Sequence, residues 1–200
     1  MSQQQLSYVI RDSLYLNITD RCTLACTFCP KTQGVKVVHD FDLTLDHRPT
    51  TEEIIAAIDD PARYKQVVFC GYGEPTLRFK VLMEVAKYIK AHGGRVRVNT
   101  DGLANLANKR NVLPEMAEWV DALSISLNAQ SAEIYDRLCV PALKGSFEKV
   151  LEFIEEAPKY IYDVTATAIN GLEGVDIDAC RELAETRGAK FRQREMNIVG

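Results

Sequence analysis

Short β-rich runs alternate with longer amphipathic stretches along most of this chain, and that alternation restricts the possible folds more than any other feature. The strand candidates span residues 14–18, 66–70, 95–99, 122–127, 163–169 and 190–194. Each is short and bounded by polar or turn residues, and several are rich in valine and isoleucine. Helix signals fill the intervals. Thr50-Thr51-Glu52-Glu53 fits a capping box ahead of Ile54, Ile55 and Ile58, with Pro61 beyond. Val81, Leu82, Val85, Tyr88 and Ile89 make one stripe that runs into Gly93-Gly94, a C-cap signal. Phe147, Val150, Leu151 and Ile154 make a second stripe. Ile177, Cys180, Leu183 and Ala184 make a third, closed by Gly188. Leu113-Pro114-Glu115 reads as a short helix with proline near its start.

Strand followed by helix, repeated, implies right-handed crossovers and a parallel sheet. Six such units fall short of the eight of a full TIM barrel. The expectation is an α/β fold: a partial (βα)6 TIM-type barrel, or failing that a doubly wound open sheet, in one domain over residues 1–200. The first unit is distorted. Roughly thirty residues separate its strand from its helix, far more than an ordinary βα loop.

That long loop holds Cys22, Cys26 and Cys29, spaced C-x3-C-x2-C, with Phe28 just before the last. No fourth cysteine is near. An ordinary iron–sulfur cube takes four thiolates, so three leave one iron open, and an open metal can do chemistry where a closed one holds structure. The chain carries 6 cysteines, a net charge of −4, 46% hydrophobic and 26% charged residues. These are values of an ordinary globular protein, and they give no electrostatic case for a nucleic-acid or membrane surface. No apolar run approaches membrane-spanning length. Residues 1–6 lack the basic and apolar regions of a signal peptide. A cytoplasmic chain is expected, with its thiols reduced. Cys70, Cys139 and Cys180 are scattered and read as structural, Cys70 and Cys180 as small buried apolar residues. Trp119 is most simply core.

In parallel α/β folds ligands bind at the carboxyl ends of the strands, and here those ends carry unusual residues. The first leads into the cysteine loop, the second into Gly71-Tyr72-Gly73-Glu74-Pro75, and the third into Asn99-Thr100-Asp101-Gly102. The fourth bears Ser124, Ser126 and Asn128, and the fifth ends in Ile169-Asn170-Gly171. The sixth ends in Arg192, Arg194, Glu195, Met196 and Asn197. Turns favour Gly, Asn and Asp anyway; the convergence of several such ends on one rim is what points to ligand binding.

On the Cys22-x3-Cys26-x2-Cys29 spacing with Phe28, on Gly73-Glu74-Pro75 after the second strand and on the βα rhythm, the sequence resembles the radical SAM superfamily. The resemblance implies that the three thiolates bind a [4Fe–4S] cluster whose open iron is chelated by S-adenosylmethionine. It implies that an electron from the reduced cluster cleaves the sulfonium, giving methionine and a 5′-deoxyadenosyl radical that abstracts a substrate hydrogen. The electron would come from an external flavodoxin- or ferredoxin-type reductant. Phe28 takes the family's aromatic position. Gly73 and Glu74 match the motif that receives the methionine amino group, although Tyr72 stands where the family usually has a first glycine. Ser126 and Asn128 match positions that reach the ribose and carboxylate, and Thr100 lies where the third strand approaches S-adenosylmethionine. Ile169 and Gly171 partly match the motif beside the adenine; Met196 is expected on the adenine and Arg194 on the carboxylate. The short chain and the run Gly71-Tyr72-Gly73-Glu74-Pro75-Thr76-Leu77 look most like the TatD-associated radical SAM proteins, implying a functional link to a TatD-type hydrolase.

Other readings stand beside this one. The cysteines could hold zinc, or an inert cluster, with His39 or His47 completing a Cys3His set, in a non-catalytic binding module. Within the enzyme class, an open barrel also suits an activase that places a glycyl radical on a partner protein. Glu74 could be no more than a turn carboxylate beside proline, and the tract His39, Asp40, Asp42, Asp46 and His47 no more than a solvated loop.

Overall fold

The computed structural model describes residues 4–196; Asn197 lies outside them. In chain order the elements are β1 (Ser7–Ile10), β2 (Ser13–Leu16), β3 (Val37–Val38), β4 (Phe41–Asp42), α1 (Thr51–Ala56), β5 (Gln66–Phe69) and α2 (Phe79–Ala91). There follow β6 (Val96–Thr100), α3 (Ala104–Asn108), α4 (Leu113–Met116), β7 (Ala122–Ser126), α5 (Ala132–Cys139), α6 (Ser146–Glu156), β8 (Asp163–Asn170), α7 (Ile177–Glu185) and β9 (Lys190–Glu195).

The main sheet has the order β1-β2-β5-β6-β7-β8-β9. All neighbours from β2 to β9 are parallel. Each new strand therefore adds to the same edge, and the order never reverses, which a doubly wound sheet requires. This is the partial barrel that the six expected strands imply, left open between β1 and β9 in the described residues. The seventh strand, β1, is an addition to the sequence reading. It pairs antiparallel with β2 through a two-residue turn at Arg11-Asp12, with Arg11 at φ 56°. The long loop after β2 also carries a hairpin, β3–β4, turned by His39 and Asp40 at φ 49° and 69°. Positive φ at both central residues matches the right-handed twist of the two short strands; the tract His39, Asp40, Asp42, Asp46 and His47 is exposed, as expected of a solvated loop, and its first two residues build this turn.

Alternation along each strand sends one set of side chains outward to the helices and the other into the barrel. Val67 and Phe69 join the main core under the helices, together with Val96, Val98, Leu123 and Ile125. Val68 faces the other way and packs with Tyr8, Tyr15 and Leu43. Thr50 and Glu53 form the capping box of α1 as expected, and α2 ends at His92 with Gly93 beyond it at φ +77°. No helix among the described residues is long and apolar enough to cross a membrane.

Candidate functional site

The cysteine loop is held by a helix end. Thr27 N donates to Leu138 O at 2.8 Å, Ala25 N to Cys139 O at 3.1 Å, and Ala142 N accompanies them by donating to Thr23 O at 2.9 Å. The last carbonyls of a helix have no partner within it, and here the backbone amides of the cysteine loop supply partners for the final turn of α5. Cys139 closes that turn and is fully buried, directly behind the loop. The neighbouring Cys139 thiol is the largest reason the Cys26 thiol is pushed far above the ordinary range; burial adds to it. Burial and the neighbouring Asp101 push Cys22 up to about 12.

The second anchor is Gly73. Glu74 N donates to Arg21 O at 2.7 Å, which brings the two loops into backbone contact. A Cβ on Gly73 would lie 2.3 Å from Arg21 O and 2.7 Å from Asp20 C. No side chain fits there, so this glycine is required by the crossing of the two loops, whatever else it touches.

Glu74 is buried, 4% exposed, and its carboxylate is used inside the protein. Oε1 accepts from Thr76 N at 2.9 Å, Thr76 Oγ1 at 2.6 Å and Thr100 Oγ1 at 2.9 Å; Oε2 accepts from Asp101 N at 2.7 Å. Asp101 is buried beside it, accepting from Thr23 Oγ1 at 2.5 Å and Leu103 N at 2.9 Å. The shared burial and mutual repulsion push Glu74 up to about 8, and burial raises Asp101 as well. One proton on this pair at neutral pH relieves the repulsion. Through Thr23 and Thr100 the pair ties the cysteine loop to β5 and β6.

Glu74→Ala should therefore cost about 3 kcal/mol of stability, because it strands four donors in a buried site. Denaturant titration measures this. The sign of the pH dependence follows from the raised pKa. The folded state holds the Glu74 proton more tightly than the unfolded chain, so its contribution is full below about 4.5 and is lost as pH rises through about 8. The stability gap between wild type and variant should narrow over that rise.

These loops and the strand ends enclose a cavity of about 510 Å³. Its wall includes Cys22, Cys26, Phe28 and Cys29 on one side, with Gly73, Glu74 and Thr100 next to them. Ser126, Asn128, Ile169, Arg194 and Met196 also line it. Of the expected site residues only Gly171 is absent from this lining; at φ +83° it turns the chain after β8. Asn128 is 3% exposed and sits at φ 62°, a conformation asparagine tolerates. Its Nδ2 contacts Cys139 Sγ at 3.7 Å, and its buried Oδ1 has no hydrogen-bond partner among the described residues. A buried orphan acceptor facing a cavity is a place for a ligand donor.

Three expectations change here. Cys70 is not enclosed in the core: it follows Val68 on the barrel-facing side of its strand and lines the cavity. His47, one of the two candidate fourth ligands, pairs with Glu53 at 2.8 Å near the start of α1 and is off the cavity wall, whereas His39, the other, lines it. Among the described residues no three His, Cys, Asp or Glu side chains are gathered closely enough to hold a metal ion. Three thiols spread over a wall suit a cluster, with a separate iron for each thiolate, better than one tetrahedral ion. Tyr15 and Asp101 also line the cavity. Asp101 could have been suspected from its place after the third strand; Tyr15 carries no local signal.

The family model described as the radical SAM superfamily matches residues 16–186. The GTP 3′,8-cyclase of Lactiplantibacillus plantarum is 32% identical over 154 residues, which cover 75% of this chain and 42% of that protein. The tungsten-containing aldehyde ferredoxin oxidoreductase cofactor-modifying protein of Pyrococcus furiosus is 27% identical over 151 residues, 72% of this chain and 39% of that one. The chain thus spans less than half the length of these relatives. Among solved structures, Streptococcus suis SuiB bound to S-adenosylmethionine superposes with a TM-score of 0.69 at 12% identity, covering 94% of this chain and 41% of SuiB. That likeness concerns the fold.

Proposed function

The chain belongs to the radical SAM superfamily, and on that premise we propose that it cleaves S-adenosylmethionine reductively and removes a hydrogen atom from an organic substrate. The family's cofactors are a [4Fe–4S] cluster and S-adenosylmethionine. What supports the reading most is the convergence of Cys22, Cys26 and Cys29 on one cavity wall beside Glu74, with no fourth cysteine in their loop.

In this proposal the three cysteines are the cluster ligands. Their local surroundings keep Cys22 and Cys26 protonated, so loading releases protons to solvent. When bound, the cofactors supply the electron transfer that splits the sulfonium and the adenosyl group that takes the hydrogen. The chain's own residues bind and orient. Phe28, packed against the core, shields the thiol wall from water. Glu74 and its partner Asp101 offer negative charge to the methionine ammonium, with Gly73 and Thr100 framing them. Arg194 faces the carboxylate as a guanidinium suited to a planar anion. Asn128 Oδ1 and the Ser126 hydroxyl meet the ribose hydroxyls, and Ile169 and Met196 offer apolar faces to the adenine, with Gly171 at the turn beside them. Enzymes of this family draw their electron from an external reductant; a flavodoxin or ferredoxin is the donor proposed here, in a cytoplasmic setting. The run from Gly71 to Leu77 is the ground for assigning the chain to the TatD-associated subgroup, with a functional link to a TatD-type hydrolase.

Anaerobic reconstitution with iron and sulfide, followed by S-adenosylmethionine and dithionite, should yield 5′-deoxyadenosine and methionine in equal amounts. A fully loaded, reduced cluster that leaves S-adenosylmethionine intact would sink the reading.

A further inference from the structure

Beneath the rim the barrel interior is cationic. Arg97 on β6 and Arg192 and Arg194 on β9 lie close enough that Arg97 and Arg194 both hold the Arg192 guanidinium below its ordinary range, after burial. Val96 and Val98 point to the helices, so Arg97 and Asn99 point into the barrel. Asn99, Arg192 and Arg194 line the main cavity. Arg97 lines a second cavity of about 120 Å³, toward the amino ends of the strands, which shares Ser124 and Arg192 with the main one.

Neither Arg97 nor Arg194 forms an ion pair among the described residues. Asp163, on the wall of the smaller cavity, is paired instead with Arg95 at 3.0 Å and Lys190 at 3.0 Å. Arg97 donates through Nη2 to Tyr15 OH at 3.2 Å, while its Nε is buried with no hydrogen-bond partner. Because the Tyr15 oxygen accepts there, its own proton is left to donate toward the main cavity, which Tyr15 also lines. A buried donor left unfilled at Arg97, beside further cations, is costly to folding and is retained where an anion repays it.

We propose that Arg97 and Arg192, with the Tyr15 hydroxyl and Ser124, form the recognition site for an oxyanion on the substrate, a phosphate or a carboxylate. The substrate is then a small anionic molecule anchored deep in the barrel, with its reacting carbon held up toward the thiol wall. Arg194, nearer the rim, stays with the cofactor. This inference rests on the radical SAM reading of the main cavity.

The test titrates the reconstituted protein with inorganic phosphate and, separately, with malonate, following binding heat and thermal midpoint. Wild type is compared with Arg97→Gln, Arg192→Gln and the surface control Arg63→Gln. Saturable binding is expected, weakened about tenfold or more in the first two variants and unchanged in Arg63→Gln. Tighter phosphate binding assigns a phosphorylated substrate; tighter malonate binding assigns a carboxylated one. No saturable binding of either anion, or equal binding in all four proteins, overturns the site. So does a loss of stability in Arg97→Gln and Arg192→Gln with anion affinity intact, which makes these arginines structural. The two readings fail separately: anion binding without S-adenosylmethionine cleavage strikes only the reaction, and cleavage without anion binding strikes only this site.

Discussion

Cys26→Ala should yield a folded protein that assembles no [4Fe–4S] cluster, whereas Cys180→Ala should load like wild type and lose only about 1 kcal/mol. Both replace a sulfur by a hydrogen, so the difference lies in position. Cys180 lies on α7, fully buried within the core, where its thiol is a small apolar filler. Cys26 lines the cavity between two other thiols of the same loop. Removing one of three thiolates leaves two irons without protein ligands, which a cubane does not survive. Iron and acid-labile sulfide per chain, with the visible absorption of the reconstituted protein, measure the outcome. A full cluster in Cys26→Ala would contradict the ligand assignment.

Gly73→Ala should be nearly as damaging to the cluster, although it removes no ligand. The added methyl would meet the backbone of Asp20 and Arg21, 2.3 Å from the Arg21 oxygen. Backbone cannot swing aside as a long side chain can, so the cysteine loop must move away and the Glu74 N–Arg21 O bond must open. Overpacking of this kind costs about 3 kcal/mol, or roughly 10 °C in thermal midpoint for a chain of this size. Cys22 follows Arg21 directly, so displacement there shifts the first thiol. Cluster content should fall well below wild type, and scanning calorimetry should show the loss of stability in the apoprotein too. A variant with unchanged midpoint and full iron would mean that the loops do not meet as described.

Local signals carried the repeating units. Valine-rich runs and helical stripes placed all six parallel strands within a residue or two, and the capping box at Thr50 marked the start of α1. Short or paired features were illegible. β1 is four residues at the sheet edge, too brief for its alternation to stand out. α5 spans eight residues and ends at Val140, which takes φ 44° without glycine, so its stop signal is missing from the sequence. Strand β5 is apolar on both faces, and an all-apolar strand does not say which face meets the helices. Hence Cys70 read as core when it looks into the barrel. Glu74 was singled out as a ligand residue, but its bond to Asp101 joins positions 27 residues apart. Only the parallel pairing of β5 with β6 brings them together. The arginine layer is hidden for the same reason: Arg97 and Arg192 sit on strands separated by two others.

The amides that serve the last turn of α5 also link two equilibria. Fraying of that helix end releases Ala25 and Thr27, and departure of the loop leaves the Leu138 and Cys139 carbonyls bare. Whatever binds the folded loop draws the helix end into the same cooperative opening unit. Cofactor occupancy is then readable as slower amide exchange through α5.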